Sequence, residues 1–363
     1  MLGLRAVNRS ATDLPDGERT SLPAPKAPRG LVEIDGGARL SPLQWVERRM
    51  LSRPLIGPLA VLVIALIVFS IVSPNFGTLQ NFSLILQQVQ VIALLGIAQT
   101  LIILTAGIDL SVAAVMLLAQ VVMGKLAVTL GLPVEFALLL GVLVGVICGA
   151  INGLIVTKLN IPPFIATLGT LSIFYALNIF ISDGESVPYA EVPALLTWLG
   201  TGFQVFGTTF TYGQVLTILM FVLFAYILRS TAWGTHIYAV GDNLEAARLS
   251  GIRVNRVLMS VYIVAGLIIG VTAWLLIGRI GSISPTAGAS YNLASITAVV
   301  IGGTSLFGGR GRIMGTLLGA VIVGVFSSGL SLAGFDNLWQ EFTIGILIIG
   351  AVAVDQRLRK IGR

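Results

Sequence analysis

The sequence predicts an all-α, polytopic membrane protein of about ten transmembrane helices, and three observations predict it. Hydrophobic residues form 56% of the 363-residue chain and charged residues only 10%, against roughly 25% charged in an ordinary soluble domain. Apolar stretches of about 20 residues, the length a bilayer requires, recur from Leu55 almost to the C-terminus. These runs do not alternate: "LAVLVIALIVFSIV" has none of the apolar-polar switching of a membrane barrel strand. In hydrocarbon such a run must satisfy its own backbone hydrogen bonds, so it folds as a helix.

Taken in order, residues 1–54 are hydrophilic, carry Pro15, Pro23, Pro25, Pro28 and Pro42, and hold nine Lys or Arg. They read as a flexible cytoplasmic tail. With no apolar h-region near Met1, the first span, about residues 55–73, is expected to act as the insertion signal. Length and hydropathy place the following spans at about 83–105, 109–130, 134–157, 162–182, 212–228, 255–279, 291–306, 313–333 and 338–354. Residues 355–363 form a basic cytoplasmic C-terminal tail, so the membrane domain covers 55–354. With the N-terminus inside, 20 of the 22 Lys and Arg residues fall on the cytoplasmic side, leaving Lys125 and Arg279 nearer the other face. The net charge of +6 therefore reports topology by the positive-inside rule and not nucleic-acid binding.

Gly141, Gly145, Gly149 and Gly153 recur at four-residue spacing on one helix face, a stripe that lets another helix approach closely. A second stripe, Gly311, Gly315 and Gly319, begins five spans later. The match points to two five-span halves of opposite orientation, an inverted repeat of the kind common in transporters.

Catalytic and cofactor patterns are scarce. Cys148 is the single cysteine, inside an apolar run, and His236 the single histidine, so neither a disulfide nor a histidine-rich metal site can form within the chain. There is no G-x-x-x-x-G-K-[ST] phosphate loop, since Gly124-Lys125 is followed by Leu126, and "GGTSLFGGRGR" with Arg310 and Arg312 reads as a cytoplasmic turn. No nucleophile elbow or H-E-x-x-H pair is present, which argues against a membrane hydrolase.

Asp109 interrupts the apolar stretch from residue 83 to 130, where an ionised carboxylate is costly and marks function by default. It fits equally as the N-cap of a helix starting at "GIDLS". Other polar residues inside predicted spans are Gln87, Gln88, Gln90, Gln99, Gln120, Asn152, Thr167, Asn178, Asn292 and Thr297. Most read as helix–helix hydrogen-bond partners; Gln88, Asn152 and Asn292 are taken, with Asp109, as the candidates for a translocation path or gate. A neutral polyol needs such amides and hydroxyls more than charge, because its hydroxyls both donate and accept.

Residues 239–259, "AVGDNLEAARLSGIRVNRVLM", form the most polar interval of the second half. Asp242 is expected to cap a helix whose third residue is Glu245, and Gly251 to end it in the left-handed region. The helix would be about two turns, roughly 12 Å, long. Leu244, Ala246, Ala247, Leu249 and Ile252 share no face, which excludes a lipid-surface helix. Small residues flanked by one acid and one base fit a knob for a protein groove, or an ordinary capped loop helix.

"DNLEAARLSGIRVNRV", "LTAGIDLSVAAVM" at 104–116 and "SITAVVIGGTSLFGGRGRIMGTLLGAVIVG" at 295–324 resemble, in order, the permease subunits of bacterial ATP-binding-cassette (ABC) importers for simple sugars of the ribose, xylose and fructose type. "RIGSISPTAGASYNL" is most similar to the fructose-type members. The resemblance spans about residues 55–354 and implies a type II importer fold, as in vitamin B12 importers, with both termini cytoplasmic in the bacterial inner membrane. It implies that residues 242–251 are the coupling helix seated in a cytoplasmic ABC ATPase subunit. Glu245 and Arg248 would then orient or bridge to that partner, while Ala246, Ala247 and Gly251 permit close contact. ATP and Mg would belong to the ATPase, a periplasmic sugar-binding protein would deliver the cargo, and a second permease subunit, identical or not, would complete the path. No cofactor or metal is expected in this chain. The competing reading is a proton-coupled secondary carrier with Asp109 as its proton site.

Overall fold

The computed structural model describes residues 56–288 and 290–361, so the predicted tail at 1–54 lies outside the described residues. Seven described helices are long and apolar enough to cross a membrane, and three shorter apolar ones, Gly57–Val72, Tyr291–Ile301 and Leu338–Ala353, accompany them. In chain order the helices are α1 (Ile56–Val72), α2 (Leu79–Leu104), α3 (Val112–Gly124), α4 (Val134–Lys158) and α5 (Pro163–Ser182). A short helix α6 (Ala194–Thr197) leads to strands β1 (Gly202–Val205) and β2 (Thr208–Thr211). Then come α7 (Tyr212–Ser230), α8 (Ala232–Asp242), α9 (Leu244–Leu249), α10 (Val254–Ile280), α11 (Tyr291–Ile301), α12 (Ile313–Leu332) and α13 (Asn337–Ile361).

Local chemistry sets several of these boundaries. Thr78 caps α2 by accepting from the Asn81 amide, and Thr211 and Gln214 form a reciprocal capping box at α7. Pro163 opens α5 at its first position, where a missing N–H costs nothing. Gly281, at φ 76°, closes α10.

The all-α class holds, with one small addition and three shifts of boundary. Strands β1 and β2 pair antiparallel between α5 and α7. The third span starts at Val112 and not at Asp109, and ends in a π-helical turn, Lys125–Thr129. The eighth, expected over 291–306, stops at Ile301, where Gly302 and then Gly303 at φ 84° leave the helix; its 11 residues reach only about 16 Å, half a bilayer. Helix α13 runs on to Ile361, so Arg357, Arg359 and Lys360 prolong a helix.

Helices α2 and α10 sit at the centre, and the pairings around them repeat between the two sets of five. The third helix of each set packs on the fourth and fifth (α3 on α4 and α5; α11 on α12 and α13), and each fourth helix packs on the central helix of the other set (α4 on α10; α12 on α2). Both third helices are also entered through non-helical backbone, at 105–111 and 281–288. The first helices break the pattern, since α1 packs on α12 whereas α7 packs on α2.

Lipid offers no hydrophobic drive for helices to associate, so close backbone contact does that work. A Cβ added at Gly145 would lie 2.9 Å from the Gly270 Cα, and one at Gly149 would lie 3.1 Å from the Gly266 Cα, so α4 and α10 touch main chain to main chain. At the ends of the same stripe Gly141 faces Met123 and Gly153 faces Met259. In the second stripe Gly311 precedes α12, which starts at Ile313, and its neighbour is the Thr304 side chain. Gly315 and Gly319 remain on the helix face, against Gly302 and Ala298 of the α11 end.

Candidate functional site

The break between α2 and α3 is built around Asp109, only 2% exposed. Its Oδ1 accepts from the Ser111 amide at 2.7 Å and the Ser111 hydroxyl at 2.6 Å. This is a local turn one residue ahead of the helix, not the side-chain N-cap that the sequence predicted: Ser111 occupies the cap position. From α4, the Asn152 Nδ2 donates to the Ser111 Oγ at 2.8 Å and approaches the Asp109 Oδ2 at 3.4 Å. No Lys or Arg lies within ion-pair distance of Asp109 among the described residues.

Buried backbone that leaves a helix must find other partners. Side chains supply them here. Gln99 donates to the Asp109 carbonyl at 2.6 Å and Asn292 to the Leu110 carbonyl at 2.5 Å. The Thr167 Oγ1 accepts from the Leu110 amide at 3.1 Å and lies 3.0 Å from the Ile108 carbonyl oxygen. Along the second break, Gln120 donates to the Ser284 carbonyl and Asn178 to the Pro285 carbonyl, the latter at 2.8 Å. Ile283 bridges antiparallel to Val187, fixing the start of the segment. The two breaks meet where Asn292, at the head of α11, reaches Leu110. The buried amide oxygens of Gln99, Gln120, Asn152, Asn178 and Asn292 meet no donor among the described residues and keep their capacity to accept from hydroxyl groups.

Three of the four residues chosen from the sequence, Asp109, Asn152 and Asn292, therefore converge on one turn. Gln88 does not; it is half-buried on α2, about 16 Å along the axis from Gln99. Gln99, Gln120, Asn178 and Thr167 were expected as helix–helix partners and instead hold unwound main chain. Ser111 escaped the sequence reading, although its place in "GIDLS", two residues after Asp109, is the signal that would have found it.

At the end of α2 nearest this break lies the end of α8, which leads into the loop helix α9. The structure moves its cap by one residue. Asp242 is the last residue of α8, and Asn243, at φ −156° and ψ 108°, caps α9 with its Oδ1 accepting from the Ala246 amide at 2.9 Å. The helix is six residues long, shorter than the two turns expected. Gly251, at φ 83°, ends it as predicted. Glu245 and Arg248 are exposed and pair with each other at 3.6 Å. Ala246 is exposed, but Ala247 is 4% exposed and packs inward, so it seats α9 on the body of the protein and offers no outer surface.

Beneath α9 three stretches of main chain are locked together. The Gly309 amide donates to the Leu104 carbonyl at 3.0 Å, and a Cβ on Gly308 would stand 2.7 Å from the Gly241 carbonyl oxygen. Gly241 in turn abuts the Leu104 carbonyl. The Tyr238 hydroxyl donates to the Gly311 carbonyl at 3.0 Å. Burial pushes its phenol up from the ordinary tyrosine value, with nearby Arg312 opposing, so it stays a donor at neutral pH. The end of α8 that leads into α9 is thus in main-chain contact with the turn at 307–311 and with Leu104, the residue from which the Asp109 break departs.

No solved structure matches the chain. Among curated proteins it is 49% identical over 323 residues to a fructose import permease of Rhizobium meliloti, covering 88% of this chain and 90% of that protein. It is 40% identical to a ribose import permease of Bacillus subtilis (strain 168), covering 83% and 92%, and 36% identical to a D-allose transport system permease of Escherichia coli (strain K12), covering 84% and 92%. The model of the family described as branched-chain amino acid transport system / permease component matches residues 81–352, a region that contains both breaks, α9 and the repeated helix pairings, and the chain belongs to that family.

Proposed function

We propose that this chain is the transmembrane permease subunit of an ATP-driven, binding-protein-dependent importer of a monosaccharide, with fructose first among the candidates. One observation carries the mechanism: the end of α8 from which the exposed, capped helix α9 springs packs main chain to main chain on Leu104, where the polar break at Asp109 begins, and on Gly309. A cytoplasmic ABC ATPase subunit, holding ATP and Mg, grips α9 through Glu245, Arg248 and Ala246. Its closure moves α9 and, through Gly241, Leu104 and Gly309, the inner ends of α2 and α12. Two permease subunits, identical copies in this reading, alternate access to a central path in the bacterial inner membrane, with both termini cytoplasmic. A periplasmic sugar-binding protein supplies the cargo. The repeated helix pairings support a five-plus-five inverted arrangement of the type II importer kind.

The cargo assignment draws on the fructose, ribose and allose permeases and on the chemistry of the interior. Among the described residues Asp109 is the only charged one that is buried; the rest of the buried polar set is amide and hydroxyl. That set suits a neutral polyol better than an amino acid, whose paired charges need fixed counter-charges.

The test is uptake of labelled fructose and ribose by vesicles that contain the chain, its ATPase and its sugar-binding protein. Wild type is set against the double variant Glu245→Lys plus Arg248→Glu. The exchange keeps an i,i+3 pair on α9 but sets both charges against the helix dipole, so hydrogen exchange over 244–252 is read alongside uptake to separate loss of the partner contact from loss of the helix. Uptake that needs ATP and collapses in the folded double variant supports the proposal. Transport by the chain alone, indifferent to the exchange, refutes it.

A further inference from the structure

The connection between α5 and α7 was not anticipated, and its chemistry is unusual for a segment at the end of a span. From Val192 to Leu228 there is no charged residue. The β1–β2 hairpin turns through Phe206 at φ 49° and Gly207 at φ 76°, both left-handed. That is the geometry of a two-residue type I′ turn, for which Asn-Gly is the favoured pair. A bulky phenylalanine is disfavoured there by its own backbone. Burial does not compensate, since Phe206 is 94% exposed. Backbone held in such a region together with a bare aromatic side chain marks a functional contact.

The surroundings identify what the contact is with. Phe203 of β1 packs on Tyr212, ring centroids 5.7 Å apart, and Tyr212 stacks on Trp198 at 4.8 Å, with Trp274 of α10 beyond it at 6.2 Å. Tyr212 is the first residue of α7, and Val215, Ile218, Leu219, Val222, Leu223 and Tyr226 continue from it as an exposed apolar face along that span. The hairpin is therefore continuous with a surface that already faces lipid. Trp and Tyr at the mouth of a span belong to the headgroup level, where an apolar ring and a polar edge are both accommodated. A soluble protein docking at the same place would meet a charged rim, and this stretch offers no charge, only the exposed Thr201, Gln204 and Thr209 as polar groups.

We propose that the Phe206-tipped hairpin is a lipid anchor, seating Phe206 and Phe203 among the headgroups and upper acyl chains of the leaflet opposite α9. The inference rests on the membrane-spanning reading of α7 and not on the importer assignment, so either can fail without the other. It is tested with the full chain in lipid nanodiscs. Cys148 is buried and is the only native cysteine, so Phe206→Cys can be labelled with an environment-sensitive fluorophore. Gln204→Cys, which keeps Phe206, guards against a variant that fails to fold, and Leu249→Cys on α9 gives the water-exposed reference. The expected result is that both hairpin labels lose most of their emission to lipids carrying a nitroxide near the headgroup and resist an aqueous quencher, whereas Leu249→Cys does the reverse. Quenching of the hairpin labels by the aqueous reagent alone overturns the proposal. So does protection that begins only when the sugar-binding protein is added, which would assign the hairpin to a soluble partner.

Discussion

Replacing Asn243 by alanine should loosen α9 about fivefold. A six-residue helix is far below the 12–15 residues or so that persist unaided in water, so it depends on its ends and on Ala247. At the N-terminal end the support is one hydrogen bond, Ala246 amide to Asn243 Oδ1 at 2.9 Å. Loss of such a cap costs about 1 kcal/mol, which is roughly a fivefold shift in the local opening equilibrium. Hydrogen exchange read by mass spectrometry over 244–252 measures that shift directly, because the Ala247, Ser250, Gly251 and Ile252 amides are all bonded within the helix and its C-terminal turn. Asn243→Asp keeps the acceptor and should exchange like wild type. Asp242→Ala should also be silent, because Asp242 ends α8 and does not cap α9. Unchanged exchange in Asn243→Ala, or equal acceleration in Asp242→Ala, would refute the placement of the cap. In the full transporter the same loosening should lower ATP-dependent uptake while leaving the amount of folded permease unchanged.

Gly145→Ala should lower stability by about 1–3 kcal/mol, because its Cβ meets main-chain atoms that cannot swing aside. Gly169→Ala, which opens onto empty space in α5, should stabilise by about 0.5–1 kcal/mol, and thermal unfolding in one detergent compares the two. Asp109→Asn keeps an acceptor for Ser111 and should retain ATP-driven uptake, whereas Asp109→Leu strands the Ser111 amide and hydroxyl at about 1–3 kcal/mol for each group left unmade. Abolition of uptake by Asp109→Asn, with wild-type uptake dependent on a proton gradient, would revive the secondary-carrier mechanism. Tyr238→Phe should cost about 0.5–1.5 kcal/mol through its lost bond to Gly311. Since folding raises the Tyr238 pKa above its ordinary 10.0, its contribution is fully present below that pH and is lost only as pH climbs beyond it. A pH titration from 7 to about 9 should therefore leave the difference between wild type and Tyr238→Phe constant.

The apolar runs were enough to place most spans within a few residues, because in lipid a long uncharged stretch has one solution. The errors fall where two local patterns compete. Asp242 and Asn243 are adjacent residues of the same capping type, and the spacing from Asp242 to Glu245 imitates a capping box; what decides between them is that α8 continues through Asp242, a tertiary fact. The run at 291–306 has the hydropathy of a span, but Gly302 and Gly303 end the helix, and hydropathy is blind to that. The hairpin hides because Phe-Gly occupies a turn where Asn-Gly would have announced it. Among the candidate site residues, polarity inside a span marked Asp109, Asn152 and Asn292 as special. It did not reveal that Gln99 serves the unwound Asp109 carbonyl, nor that Gln120 and Asn178 serve carbonyls at 284 and 285, acceptors that exist only once the other half of the chain is in place.

That last dependence bears on biogenesis. Segment 281–288 and half-helix α11 cannot be stable in lipid on their own, for the segment's carbonyls would face hydrocarbon at several kcal/mol each. The groups that satisfy them, Gln120 and Asn178, stand on α3 and α5, and Leu110 receives Asn292 in return. Synthesis from the N-terminus delivers α3 and α5 first. The first five helices thus serve as the template onto which the eighth apolar segment is admitted, and a nascent chain truncated after α11 should enter the bilayer only if that template is intact.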